Sequence, residues 1–166
     1  FVSKAGAENA PIRFAEQSGV IRSSAISDNG HWVYDTTDYG TIEGELGGVV
    51  QEKNTCTVLT AIRELLSLGY KITPQAVKTG FAQVTGLTGL MGRWQIIQRE
   101  PLIICDTGHN VGGWEYLSKQ LDQTPCHALH IVIGMVNDKD IHGVLKLLPK
   151  KAIYYFTNAS VERALP

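Results

Sequence analysis

The sequence predicts an α/β protein, and the second half of the chain carries the clearest evidence. Near-continuous apolar runs at residues 102–105, 129–135 and 152–156 are separated by segments with helical periodicity. This alternation is typical of parallel strands that helices cover on both faces. The first half has short strands followed by two helices, so the pattern predicts two domains, residues 1–88 and 89–166.

Composition limits the class of protein. The 166 residues are 43% hydrophobic, enough for a substantial core, and the formal net charge is −1. That balance does not favour binding to nucleic acid or to a membrane surface, and no apolar run reaches the ~18 residues that a transmembrane helix needs. Three cysteines are too few for a disulfide framework, so we expect a reducing, cytoplasmic setting. The N-terminal residues lack the basic start, apolar block and cleavage site of a signal peptide, so none is expected.

The first half begins with predicted strands. The alternation at residues 11–15 indicates one strand, and residues 41–46 indicate another. Between them, Asp28-Asn29-Gly30 is a strong hairpin signal, with residues 20–25 and 31–35 as the two arms.

Two helices follow. Asn54 is a good N-cap, and apolar residues then recur at helical spacing until Gly69 ends the helix. Thr73-Pro74 predicts the start of a second helix, with Thr73 as the cap and proline in the first turn.

A glycine-punctuated loop leads into the second half. Residues 93–98 predict a short strand, and the helices between the later strands span about residues 112–121 and 140–148. The chain starts at Phe1 without an initiator methionine and stops soon after its last predicted strand, so we expect a piece of a longer protein.

Polar clusters follow two of the predicted parallel strands. Asp106, His109 and Asn110 follow the first strand, and Asp138-Lys139-Asp140 follow the second. Ligands of parallel sheets gather at the carboxyl ends of strands, and the helix starting near residue 112 would aim N–H groups at an anion there. Arg93, at the domain junction, is a candidate phosphate clamp.

Each of these residues also has a purely structural interpretation. Asp106 can cap a turn, His109 can be a surface histidine, Arg93 can be a surface arginine, and residues 138–140 can be a solvated helix start. The 166 residues contain neither a dinucleotide-binding glycine fingerprint nor a P-loop. Cys126-His127-x-x-His130 matches no familiar zinc framework.

Four motifs in order carry a family resemblance. They are Asn54-Thr-Cys-Thr-Val-Leu-Thr-Ala, Leu90-Met-Gly-Arg93-Trp-Gln, Cys105-Asp-Thr-Gly-His-Asn110 and Val132-Ile-Gly-Met-Val-Asn-Asp-Lys-Asp140. Together they resemble the folylpolyglutamate synthase/dihydrofolate synthase family of the Mur ligase superfamily. Two departures are small: Met91 stands where the family often has proline, and Gly108 stands where it usually has alanine.

The resemblance implies an architecture. Residues 1–88 would be the tail of the central ATPase domain, with its β-hairpin and helices. Residues 89–166 would be an incomplete, Rossmann-like C-terminal ligase domain. The missing N-terminal P-loop domain, the Mg²⁺ ligands and a modified lysine are then expected outside these residues, with no metal ligand in this chain.

The resemblance also implies a reaction and its residues. The full-length enzyme, expected to be a monomer, would use ATP and Mg²⁺ to join L-glutamate to dihydropteroate or to a folate through an acyl phosphate. Domain closure would assemble the site and exclude water. Asn54 would contact the adenine, Arg93 the ATP phosphates and Asp106 the ribose, while His109 would serve nucleotide and glutamate binding. Arg93 and His109 are the catalytic candidates; supporting candidates are Asn110, Asp138, Lys139 and Asp140.

Two other functions stay open at this point. A Mur-type ligase that adds amino acids to cell-wall precursors would share the chemistry and differ in substrate. A non-catalytic Rossmann-like binding module would use the same strand ends to hold a small anion or nothing. The 166-residue chain itself is expected to be inactive because it has no P-loop.

Overall fold

The computed structural model describes residues 1–158, 160, 162 and 164. The chain divides into two compact units, Phe1–Ile104 and Cys105–Pro166. The element order is α/β as predicted, with antiparallel strands and helices in the first unit and a parallel strand pair in the second. The predicted domain boundary between residues 88 and 89 stays a prediction.

The first unit is built on a three-stranded antiparallel sheet. Its strands are β1 (Ile21–Ile26), β2 (Trp32–Thr36) and β3 (Gly40–Gly44), in that order across the sheet. Gly30, in the predicted hairpin turn, has a φ of 84°, which glycine adopts without a steric penalty. The hairpin prediction is confirmed, with Ile26 opposite Trp32.

Three helices follow the sheet: α2 (Gln51–Ser67), α3 (Pro74–Ala82) and α4 (Val84–Thr88), while α1 (Val2–Ala7) opens the chain. Thr73 caps α3 as predicted, since its side chain accepts from the Ala76 amide at 3.1 Å. Leu59 of α2 and Val77 of α3 join the core of this unit. The other buried members are Val20, Trp32, Tyr34 and Ile42.

Two local predictions were wrong in this unit. Residues 11–15 are not a strand; a 3₁₀ turn forms at Ala15–Gln17, where the Ala15 carbonyl accepts from Ser18 and Cys56 side chains. Asn54 is not the cap of α2, because the helix already begins at Gln51 and the Asn54 amide N–H donates to Val50 at 3.3 Å. The turn at residues 15–17 is contacted by the Cys56 side chain, which is distant in the sequence, and α2 begins one turn before the predicted cap.

The strand pairing also differs from the prediction. Strand β5 (Leu102–Cys105) lies in a two-stranded sheet with β4 (Gln95–Arg99). Only Glu100 and Pro101 separate these strands, and so short a connection joins adjacent antiparallel strands. The predicted pairing of β5 with the later strands is therefore absent from the described sheets.

The second unit pairs β6 (His130–Ile133) with β7 (Ile153–Phe156) in parallel, and α6 (Ile141–Leu147) connects them. Helix α5 (Val111–Gln123) packs against α6. The core of this unit is formed by Trp114, Ile133 and Val144, and Val144 is fully buried. These helices and strands confirm the alternation expected from the sequence.

Candidate functional site

Arg93 lies on a short loop whose backbone is unusual on both sides of it. Gly92 has a φ of 70° and Trp94 a φ of 50°, so two left-handed residues flank the arginine. The Gly92 amide donates to the Gln95 side-chain oxygen at 2.9 Å, which closes the loop. Arg93 itself is exposed, so the loop presents a guanidinium to solvent.

The Arg93 loop, residues 92–95, lines a cavity of about 380 Å³ within the first unit. Arg99 extends the positive charge along β4 and donates to the Asn29 carbonyl at 2.9 Å, which ties β4 to the hairpin turn. The other lining residues are 29–31, 45–47, 85, 90 and 96–98. Two arginines beside an open, mostly polar cavity suit an anionic ligand.

Asn54 is the second site candidate in this unit. It is exposed on the first turn of α2, and its Nδ2 donates to Gln51 Oε1 at 3.1 Å. Asn54 does not line the cavity that holds Arg93. A single segment connects the cavity to this helix, because residues 45–47 line the cavity and α2 begins four residues later, at Gln51.

In the second unit, residues 106–110 form a tightly bonded turn. Asp106 Oδ1 accepts from the Gly108 amide at 2.8 Å, and His109 Nδ1 lies 3.0 Å from the Thr107 carbonyl. A carbonyl oxygen can only accept, so Nδ1 carries the proton in this contact and Nε2 of the neutral ring is an acceptor. Both Asp106 and His109 are exposed and accessible to a ligand.

Asn110 has a structural role that was not predicted from the sequence. It is the N-cap of α5, and its side-chain oxygen accepts from the Gly113 amide at 2.8 Å. Asp140 does the same for α6, where it accepts from the Gly143 amide at 2.8 Å. Asp138 and Lys139 pair with each other at 3.8 Å.

The structure brings the two predicted loops of this unit together. A Cβ built on Gly143 would lie 2.6 Å from Val111 Cγ2, so the first turns of α5 and α6 are in close contact. Asn110 and Asp140 precede those turns. The loops that contain Asn110 and Asp140 therefore lie close together, although β5 and β6 belong to different described sheets.

Gly108 has a packing reason to be glycine. A Cβ at this position would lie 2.2 Å from Leu117 Cδ1 and 3.2 Å from Asp106 Oδ1. The Gly108 carbonyl also accepts from the Trp114 indole at 3.2 Å. Alanine would fit here only if the Leu117 side chain moved.

No metal centre is assembled by the residues that the structure describes. Among them, no three His, Cys, Asp or Glu side chains form a group that could hold an ion, and all three cysteines are free thiols. The described residues thus do not fit a Mg²⁺ or Zn²⁺ site of their own. None of the described helices has the length and apolar character needed to cross a membrane.

Several residues of this site were not predicted from the sequence. Trp94 and Gln95 shape the Arg93 loop, and Gly47 packs against Trp94. The available signal was the Gly92-Arg93-Trp94-Gln95 run, whose glycine indicates a turn. Nothing local indicates that Gly47, far away in the sequence, contacts it.

Comparison with known proteins gives consistent matches. Residues 92–165 match the family described as Mur ligase, glutamate ligase domain. The dihydrofolate synthase/folylpolyglutamate synthase of Escherichia coli (strain K12) is 33% identical over 126 residues, which cover 70% of this chain and 28% of that relative. The enzyme of the same name from Buchnera aphidicola subsp. Schizaphis graminum (strain Sg) is 32% identical over 97 residues, 58% of this chain and 22% of the relative.

Solved structures agree in fold. Escherichia coli FolC in complex with ADP matches with a TM-score of 0.66 at 26% identity, covering 99% of this chain and 38% of that chain. A Mycobacterium tuberculosis folylpolyglutamate synthase complexed with ADP and AMPPCP matches with a TM-score of 0.80 at 24% identity, covering 99% and 37%. The chain spans well under half the length of these relatives.

Proposed function

We propose a function from one premise, that this chain belongs to the Mur ligase superfamily, on its folylpolyglutamate synthase/dihydrofolate synthase branch. The full-length protein that contains it is an ATP-dependent ligase. It joins the amine of L-glutamate to the carboxylate of dihydropteroate, of a folate, or of both.

The observation that supports this proposal is the position of the Arg93 side chain, exposed at the edge of the cavity. An exposed guanidinium stands between two left-handed residues at the edge of a cavity of about 380 Å³. A guanidinium offers several N–H donors in a fixed plane, which suits the oxygens of a phosphoryl group. The related Escherichia coli structure contains ADP, which supports a nucleotide as the ligand.

The proposed chemistry has two steps. ATP transfers its terminal phosphoryl group to the substrate carboxylate and ADP leaves. The glutamate amine then attacks the acyl phosphate, the amide bond forms, and inorganic phosphate departs. Negative charge spreads over the phosphoryl oxygens in both steps, so a fixed cation such as the Arg93 guanidinium lowers the activation barrier. Neither step needs a covalent intermediate with the enzyme.

Each remaining candidate has a proposed role that fits its chemistry. The Asn54 amide both donates and accepts, which suits the edge of adenine. The Asp106 carboxylate accepts from ribose hydroxyls, and His109 Nε2 accepts a hydrogen bond from nucleotide or glutamate. Asn110 and Asp140 hold the first turns of their helices, and Asp138 and Lys139 lie beside them.

Mg²⁺ would be needed to balance the charge of ATP, but the described residues do not form a site for it. We therefore assign no step to the metal and no ligand within this chain. Residues 1–88 are proposed as the tail of the ATPase domain and residues 89–166 as the incomplete ligase domain, in a cytoplasmic, monomeric enzyme.

The test is ADP release by the full-length protein. With Mg-ATP and glutamate present, release should depend on added dihydropteroate or tetrahydrofolate, and each substrate is assayed separately. A cell-wall nucleotide precursor serves as the third substrate, because release with it alone would point to the cell-wall ligases instead. No release with any of the three would contradict the ligase proposal.

Arg93→Ala should lower kcat about 10²- to 10³-fold, as expected for loss of one fixed group that stabilises developing charge. Arg93→Lys should restore only part of the rate, since an ammonium lacks the planar fork. Arg22→Ala is the matched control, because Arg22 is an exposed arginine paired with Asp35 at 3.2 Å. Wild-type kcat in Arg93→Ala would remove Arg93 from the mechanism.

A further inference from the structure

We infer that Gly47 and Gln95 are positioning residues for Arg93, an inference that rests on the proposed ligase function. Gly47 lies far from Arg93 in the sequence. Gly47 and Gln95 line the same cavity as Arg93, and the proposed mechanism assigns neither of them a chemical role on the substrate. The contacts of both residues hold the backbone on which Arg93 stands.

The segment that contains Gly47 is fixed on several sides. The Glu45 amide donates to the Phe81 carbonyl at 3.0 Å, and the Glu45 carboxylate accepts from the Thr85 amide at 2.7 Å. One residue after Gly47, the Gly48 carbonyl accepts from the buried Trp32 indole at 2.9 Å. The backbone of Gly47 is buried between these anchors and has little freedom to move.

Trp94 packs directly on this fixed segment. A Cβ built on Gly47 would lie 2.9 Å from the Trp94 carbonyl oxygen, 3.2 Å from Trp94 Cδ1 and 3.4 Å from Trp94 Cβ. Gly47 does not have a positive φ, so its backbone conformation would accept alanine. The close approach of Trp94 alone makes glycine necessary at position 47.

Trp94 transmits this contact to Arg93 because the two share a peptide bond. Trp94 is held at a φ of 50°, a conformation that a bulky residue keeps only when its surroundings impose it. On the other side of Arg93, the Gly92 amide is held by the Gln95 side chain at 2.9 Å. Gly47 and Gln95 thus restrain the backbone after and before the guanidinium.

Loss of either restraint should affect the rate more than the binding of ATP. Arg93 is proposed to act on charge that develops in the transition state, so a displaced guanidinium lowers kcat. A displacement on the order of 1 Å lowers a rate by about 10²-fold. The KM for ATP should change much less, because the adenine and ribose contacts are elsewhere.

The experiment uses the full-length protein and the ADP-release assay with its pterin substrate. Gly47→Ala and Gln95→Leu should each lower kcat about 10²-fold while the KM for ATP stays near the wild-type value. Gly80→Ala is the matched control for the first, since nothing lies within 4 Å of its built Cβ. Gln75→Leu is the control for the second, because Gln75 also makes a side-chain hydrogen bond, at 3.1 Å to Thr79.

The outcomes separate the inference from the function on which it rests. If the wild-type protein shows no pterin-dependent ADP release, both the proposed function and the inference are refuted. An active wild type with normal kcat in a folded Gly47→Ala or Gln95→Leu variant overturns the inference alone. If Gly47→Ala does not fold, the result for Gln95→Leu decides. If the rate of Gln95→Leu falls only in proportion to its loss of folded protein, Gln95 does not position Arg93 and the inference is wrong.

Discussion

Tyr34, a buried residue in the core of the first unit, has a raised side-chain pKa. Its side chain is 1% exposed, and its ring stacks on Trp32 with centroids 5.5 Å apart. The pKa of Tyr34 is raised from 10.0 to about 12. Burial is the main cause, a hydrogen bond with Thr55 lowers the pKa in part, and the charge of Glu52 adds a smaller upward contribution. The folded protein therefore keeps a proton that the unfolded chain releases in alkali.

This difference predicts an alkaline loss of stability. Between pH 10 and pH 12 the unfolded chain binds fewer protons at Tyr34 than the folded chain, so the free energy of unfolding falls as pH rises. The contribution of Tyr34 approaches about 1.4 kcal/mol per pH unit. Urea unfolding of the chain across this range should show a flatter pH dependence for Tyr34→Phe than for wild type.

The control for this prediction is Leu59→Ala, which lowers stability without removing a titrating group. Leu59 is 1% exposed, and its truncation should cost about 2–5 kcal/mol at every pH. Its slope above pH 10 should match that of wild type. An unchanged slope in Tyr34→Phe would mean that Tyr34 does not retain its proton in the folded state.

At the scale of elements, side-chain caps set the first turns of three helices. Thr73, Asn110 and Asp140 each accept from the backbone amide three residues further on. The caps of α5 and α6 coincide with residues that the family resemblance marks as ligand candidates. A loss of activity at Asn110 or Asp140 therefore needs a stability measurement beside it.

Substitution of Asn110 can separate the two roles. Asn110→Ala should lower the free energy of unfolding by about 1 kcal/mol, because the Gly113 amide loses its acceptor. Asn110→Ser should largely keep that stability, since a serine side chain also caps. Chemical unfolding of the chain measures both. Equal stability losses in the two variants would show that capping is not what Asn110 contributes.

At the scale of the whole molecule, the residues that the structure describes form two hydrophobic cores of different character. The first combines strand and helix residues around Tyr34 and Leu59, and the second centres on Val144 between α5, α6 and the parallel pair. On that pair, Val132 is 72% exposed and Phe156 is 74% exposed, so apolar strand surface is open to solvent. The chain also spans well under half the length of its relatives.

We predict that the isolated 166-residue chain has no ligase activity. It contains no P-loop sequence, and the described residues form no metal centre, so ATP phosphates lack their usual cradle. Purified chain should release no ADP with Mg-ATP, glutamate and a pterin substrate, whereas full-length protein should. Pterin-dependent ADP release by the chain alone would refute this prediction.

Features that depend on neighbours a few residues apart were predictable from the sequence. Helical periodicity predicted α5 and α6, Thr73-Pro74 predicted the start of α3, and Asp28-Asn29-Gly30 predicted the first hairpin. The order of four motifs was enough to indicate the resemblance to folylpolyglutamate synthase/dihydrofolate synthase, and relatives of that name match this chain. In each case caps, turns and apolar spacing agree locally with the final fold, so no distant contact was needed to decide.

Features that depend on distant contacts could be seen only in the folded chain. The start of α2 at Gln51 and the buried ionisation of Tyr34 have no local signal. The same holds for the packing of Trp94 on Gly47, which joins segments far apart in sequence. The physical reason is that these groups meet only when the chain folds, and the free energy of their packing then outweighs local propensity.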